Sequence, residues 1–490
     1  ARAWCAAVAA AQAITAGRAE PGATAAYHWP HARGRVGSYG VSPLTGPRNL
    51  SDAFLWKWHH PLGRYHTTVT GGALFDDERS IYLAAEDGVR KFAPDGRMIW
   101  FYRPPSKIST AVSIMDGHVY GNTDQGHVFK VDMSTGQEVW AVRAAVSSPA
   151  DTCYVEAHDG VVVAGFYPSP AFSGGATLIL GVNASDGQTL WNFAPDMPSW
   201  NFQAQFSEDG SFVFQDVEGK AYRVGLRDGR LHWKAGLGSY APGSFTDGGA
   251  LLADGVVYAV SCAGVRWTPD MPGHVYALDY GDGRLLWKRQ VPRLPNSFPA
   301  VGRLAGGKGR ALVMPLGQQG AMPPVASLPQ WMPMAVKLLI HPLSLWLGDS
   351  QHLLWDWAGM PSNFPLDVVA LNVESASERW YWKGPVHRRV ACGGDEEGIL
   401  ERLRLGIRPV CWPGPWTSPT LDAAGTVYVG AQTGTFYAVW DGNGDGRIDD
   451  ATEVSGFDTG AAALHPGPAL APGLLAYPTC DGLFVFRAPG

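Results

Sequence analysis

The residues Asp441-Gly442-Asn443-Gly444-Asp445-Gly446-Arg447-Ile448-Asp449 put oxygen-bearing side chains at positions 1, 3, 5 and 9 of one loop. Gly446 falls at position 6, where a sharp turn is needed, and the backbone carbonyl of Arg447 falls at position 7. Calcium takes about six to eight oxygens at flexible geometry, and this spacing folds donors around one point. The pattern predicts a structural Ca²⁺ in loop 441–453, held by Asp441, Asn443, Asp445, the Arg447 carbonyl and Asp449. Position 12 is Thr452, with Glu453 one residue late, so the loop departs from helix-loop-helix sensors. A metal-free loop built from Asx turns is the alternative.

No other constellation points to chemistry. The six cysteines, Cys5, Cys153, Cys262, Cys392, Cys411 and Cys480, lack CxxC or CxxCH spacing, which removes the usual zinc-ribbon, redox and haem-attachment readings. Cys392 and Cys411, 19 apart in one connecting segment, form the pair most readily bridged, and buried free thiols are the alternative. His59-His60 and His66 lack a carboxylate partner at ligand spacing and read as surface or strand-end histidines. Asp151, Glu156 and His158, beside Cys153, read as loop residues. There is no GxSxG, HExxH or Walker loop, so no catalytic residue is assigned.

A different kind of site is suggested by residues 318–365. Their only charged side chains are Lys337, Asp349 and Asp356. Trp331, Met334, Leu338, Leu339, Trp346, Trp355 and Trp357 make them an apolar, aromatic segment, and exposed patches of this kind mark partner or membrane contacts. Met334 to Leu347 reads as an amphipathic or interfacial helix, while Lys337, His341 and Pro342 forbid a clean transmembrane span. Packing back on the body of the protein as a private subdomain is the other reading. A second connector, 383–417, carries Asp395-Glu396-Glu397 ahead of Ile399, Leu400, Leu403 and Leu405, a short helix with acids where its dipole favours them.

These segments interrupt a repeat. Five units end with a Gly four residues before a Trp: Gly96 to Trp100, Gly136 to Trp140, Gly187 to Trp191, Gly229 to Trp233 and Gly283 to Trp287. Each follows an alternating apolar strand, so strand, Asp/Thr-Gly turn and strand make a hairpin. With a further apolar pair upstream, each unit holds about four strands in roughly 40 to 50 residues, the period of a propeller blade. A sixth copy, Val368 to Trp380, has Ala376 in place of the turn Gly. A seventh runs from Thr426 through Trp440 to a strand near Glu453–Phe457. The eighth is split, with strands 473–477 and 482–486 paired to the N-terminal strand Ala53–Trp58, which closes the ring and removes exposed edges.

The strings Leu278-Asp279-Tyr280-Gly281-Asp282-Gly283-Arg284-Leu285-Leu286-Trp287 and Val131-Asp132-Met133-Ser134-Thr135-Gly136-Gln137-Glu138-Val139-Trp140 resemble the PQQ repeat of quinoprotein-like eight-bladed β-propellers. The resemblance covers most of residues 51–490 and implies an all-β propeller domain, preceded by an N-terminal extension of residues 1–50. Members of that family include dehydrogenases holding pyrroloquinoline quinone at the ring centre, and non-enzymatic scaffolds. The dehydrogenases that resemble methanol dehydrogenase carry adjacent cysteines over the quinone. No Cys-Cys pair exists here, so the chain reads closer to the scaffolds and PQQ is not expected.

With 38 basic and 44 acidic residues and no basic run, a nucleic-acid surface is excluded. The chain starts at Ala1 without Met, which implies a removed targeting segment or a start inside a precursor, and the Ala-rich Trp4–Ala16 reads as a short helix. The expectation is a non-catalytic scaffold or accessory subunit, docked through its Trp/Met-rich insertion on protein subunits of a larger membrane-associated complex. Its compartment would be exported or lumenal, of periplasm or thylakoid-lumen type. A diverged quinoprotein dehydrogenase and a secreted ligand-binding propeller are the alternatives.

Overall fold

The computed structural model describes residues 27–148, 154–167, 175–236, 246–262, 270–307, 309–329 and 331–489. The Trp4–Ala16 helix, Asp151, Cys5 and Cys153 lie outside them. Eight four-stranded antiparallel sheets follow one another along the chain as the blades of a propeller. Blade 5 is representative: Leu251–Ala253, Val256–Cys262, Gly273–Asp279 and Leu285–Val291 pair in that order. Its first three strands are largely buried, and the fourth, the outer edge of the blade, is exposed except at Trp287 and Val291.

Blade 8 is split as expected: Phe54–His59 pairs with Gly482–Arg487 beside Leu474–Thr479 and Ala469–Ala471. The repeat Trp has a defined place. Trp56, Trp100, Trp191 and Trp233 each donate their indole N–H to a backbone carbonyl of the following blade, at Pro94, Met133, Leu226 and Tyr280. The next blade's turn Gly lies over that ring. A Cβ at Gly96, Gly136, Gly229 or Gly283 would stand 2.7 to 2.9 Å from the indole, and all four glycines have positive φ. Spacing of Gly and Trp is therefore set by packing between blades. Blade 6 keeps the conformation without the residue, with Ala376 at φ +56.

Each blade's second and third strands are joined at the same end as the links between blades. That end carries both insertions and is here termed the cap face; the Gly turns mark the opposite turn face. The helices are α1 (Leu50–Ala53), α2 (Pro324–Ser327), α3 (Met334–Leu347), α4 (Gln351–Trp357) and α5 (Asp395–Leu405). Of the helices expected from the sequence, the two in the insertions, α3 and α5, form. No described helix is long and apolar enough to cross a membrane.

Candidate functional site: a filled axis and a helical cap

Residues 27–42, grouped by sequence with an N-terminal extension, run through the middle of the ring. Trp29 exchanges backbone hydrogen bonds with Phe75 of blade 1 and packs with Ala469 and Ala471 of blade 8. Pro30 O accepts from Ile114 N of blade 2, and His31 Nδ1 donates to Glu156 Oε2 of blade 3 at 2.5 Å. Tyr39 OH accepts from Phe206 N of blade 4, and its ring packs with Leu251 of blade 5. Arg33 Nη2 donates to Pro299 O at the entry to blade 6, and Gly40 O accepts from Leu421 N of blade 7. A segment that touches the innermost part of all eight blades lies on the axis. Gly40 has φ +71, and a Cβ there would meet Ala300 Cβ at 2.9 Å, so the plug passes where only Gly fits.

Sequence reasoning missed this. It treated Glu156 and His158 as loop residues, whereas both belong to the innermost strand of blade 3, Glu156–His158. Glu156 is fully buried and also accepts from Gln203 Nε2 at 2.9 Å. His158 stacks on Phe206, and burial, reinforced by the nearby His31, lowers its pKa. Isolated polar residues such as His31 and Arg33 carry no periodicity, so only the three-dimensional contacts reveal them.

On the cap face the 406–416 stretch crosses the axial mouth. Arg408 N donates to both Glu86 carboxylate oxygens of blade 1 at 3.1 and 3.0 Å, and Lys107 Nζ donates to Gly406 O. Trp412 Nε1 reaches Gly320 O, and a Cys411–Cys480 disulfide ties the stretch to blade 8 across 5.9 Å between Cα atoms. The expected Cys392–Cys411 bridge is thus wrong. Cys392 is a buried thiol directed at Pro413 O and Gln432 Oε1, while the chain carries Cys411 over to Cys480. Beneath lie two cavities of about 20 and 10 Å³, lined in part by Tyr154 and Arg408, and by His465 and Trp412. A tricyclic quinone needs a pocket of at least ~300 Å³. These residues do not form a cradle for one. A wider cavity, about 660 Å³, opens on the turn face and is lined by Tyr27, His31, Arg35, Asp116, His158 and Glu208 among others.

The insertion and α5 form one helical cap. Gln351 Nε2 donates to Glu396 Oε2, Arg389 bridges Asp349 and Glu397, and Val325, Ile399 and Val410 make a small core. Of the expected docking residues, Trp331, Trp346 and Trp357 are 81%, 80% and 85% exposed, and Met334, Leu338 and Leu339 are also exposed. Leu343 and Leu353 join them. Trp355 is the exception and is corrected: it is 4% exposed, with Nε1 donating to Ser344 Oγ, because α4 packs that face on α3. Lys337, the one cation of the insertion, is turned inward to Leu328 O.

The 441–453 loop joins the third and fourth strands of blade 7. Asp441 accepts from Gly444 N and Gly446 N, and Asp445 accepts from Arg447 N. Glu453 is buried and accepts from Gly442, Asn443 and Asp449 amides. Among the described residues, no three His, Cys, Asp or Glu side chains converge closely enough to hold a metal. The same holds at His60 and His66, whose rings stack 5.8 Å apart, with Asp87 3.5 Å from His60.

A family profile described as outer membrane protein assembly factor BamB matches residues 48–199 and 175–318, more than half of the chain. The chain belongs to this PQQ-repeat family. It is 23% identical over 294 residues to outer membrane protein assembly factor BamB of Yersinia pestis, covering 54% of this chain and 68% of that protein. With the Escherichia coli protein of the same name it shares 26% over 222 residues, 43% of this chain and 48% of the relative. The matched stretch thus spans 48% to 68% of these relatives' own length. Among solved structures, BamB from Moraxella catarrhalis superposes with TM-score 0.54 at 15% identity, covering 89% of this chain and 99% of that one. Quinohemoprotein alcohol dehydrogenase from Comamonas testosteroni gives 0.56 at 12% identity, covering 94% and 80%. At such identities these structures establish the propeller alone.

Proposed function

We propose that this chain is a non-catalytic accessory subunit of an outer-membrane-type assembly complex, exported to the periplasmic side and peripheral to the membrane. Its docking surface is the outer face of the helical cap. One observation carries this reading: Trp331, Leu339, Trp346, Leu353 and Trp357 are each at least 70% exposed on a cap whose lysine faces inward, while the axis is filled by the chain's own residues. Aromatic side chains of this kind are the usual anchors of protein interfaces. The names of the family and of its curated relatives supply the class of partner. The relatives give no support to a thylakoid-lumen location.

The test is extraction from the membrane fraction in mild detergent, with identification of co-migrating proteins. Co-migration with a large complex, lost on deletion of 318–365, supports the proposal; migration alone with quinone-dependent dye reduction defeats it. We further propose that Ca²⁺ stabilises loop 441–453, supported by the spacing of Asp441, Asn443, Asp445 and Asp449 and by Glu453 at the loop's centre.

A further inference from the structure

Three arginines are almost completely buried, and their partners differ. Arg90 has a carboxylate, with Nη1 2.9 Å from Asp87 Oδ1. Arg402 has a carboxylate, with Nη1 2.9 Å from Asp395 Oδ1. Arg33, at the ring centre, has none among the described residues. Its Nη2 donates to Pro299 O at 2.6 Å, and its guanidinium lies 4.8 Å from the centre of the Phe298 ring. Its Nε and Nη1 are buried without a hydrogen-bond partner among the described residues. Glu156, whose charge acts on Arg33, is engaged by His31 and Gln203. His465, also buried, feels the Arg33 charge and leaves Nδ1 without a partner.

Burial pushes Arg33 down to about 9, which leaves it charged at neutral pH. A buried charge is retained only where an opposite charge or a full set of acceptors meets it, and one carbonyl is neither. Water would accept the two free N–H groups but leave the charge uncompensated. Two cavities lined by residues within electrostatic reach of Arg33, one by Tyr154 and the other by His465, measure about 20 and 10 Å³, which suits a monatomic ion and excludes an organic acid.

We propose that the centre of the propeller binds a halide-sized inorganic anion on Nε and Nη1 of Arg33, beside His465, and that this ion pins the 27–42 plug into the ring. Its position between the plug, the entry to blade 6 and the link to blade 8 gives it three segments to hold together.

The probe is bromide. Crystals of the unaltered chain grown in sodium bromide should show anomalous density within about 3.5 Å of Arg33 Nε or Nη1. In solution, bromide or chloride should raise the Tm saturably, by about 2 °C over sodium gluconate at equal ionic strength. Arg33→Met should abolish that difference. Absence of anomalous density at Arg33 overturns the proposal, as do equal melting temperatures in halide and gluconate. If Arg33→Met does not fold, the bromide density in the unaltered chain decides.

Discussion

Trp56, on the strand that completes blade 8 from the N-terminal side, lies under Gly96 of blade 1 and donates its indole N–H to Pro94 O at 3.0 Å. The ring is therefore closed twice: by strand pairing within blade 8, and by a contact between repeat Trp and turn Gly that joins blade 8 to blade 1 and recurs between blades 1 and 2, 3 and 4, and 4 and 5.

This contact makes turn substitutions asymmetric. Gly283→Ala forces a Cβ against Trp233 at φ +75 and should lower stability by about 1–3 kcal/mol, read as a fall in Tm. Ala376→Gly relieves a residue already at φ +56 and should be neutral or stabilising by up to about 1 kcal/mol. A larger loss from the second substitution than the first would contradict the packing account.

The disulfide closes a loop across a sequence separation of 69, for which loop entropy gives a stabilisation of about 4 kcal/mol. Cys480→Ser should lower the Tm and admit protease to the 406–416 stretch, as should reduction. Cys392→Ser should do neither. Limited proteolysis with mass readout distinguishes them.

Acid should destabilise the chain partly through His387, which burial pushes down to about 4 despite its contact with Ala391 O. Its folded pKa lies below the unfolded value, so the unfolded state binds more protons between about pH 6.5 and 4. Stability is full above that window and falls as pH drops through it, by about 3 kcal/mol for this group. Asp216, raised to about 6 by burial, acts with the opposite sign in the same range. The informative quantity is thus the slope of Tm against pH in the unaltered chain minus that in His387→Gln, which should be positive.

Calcium gluconate, at constant ionic strength in sodium gluconate, should raise the Tm by a few degrees in the unaltered chain, and Asp445→Asn or chelator should remove the rise. Identical melting curves with calcium and with chelator would leave loop 441–453 as a metal-free turn held by Glu453.

Legibility divides along physical lines. Periodic signals were readable: the Gly-to-Trp spacing, the split blade and the degraded turn at Ala376 all report packing that recurs around the ring. Helices α3 and α5 were readable because their apolar and capping patterns are local. What escaped was long-range and singular. The plug residues His31, Arg33 and Tyr39 have no repeat, and Glu156 is a strand residue whose side chain turns inward to a hydrogen bond with His31. Cys411 lies nearer in sequence to Cys392, yet the connector carries it to Cys480. Trp355 shares its composition with Trp357, but a helix face separates buried from exposed.

The docking claim is tested most directly by replacing Trp331, Trp346 and Trp357 together with Ala and measuring the native mass at which the chain migrates after mild detergent extraction. These side chains are exposed, so the variant should fold with an unchanged Tm. The account predicts loss of the high-mass species and recovery of free chain. Retention of the full complex by a folded triple variant would contradict it.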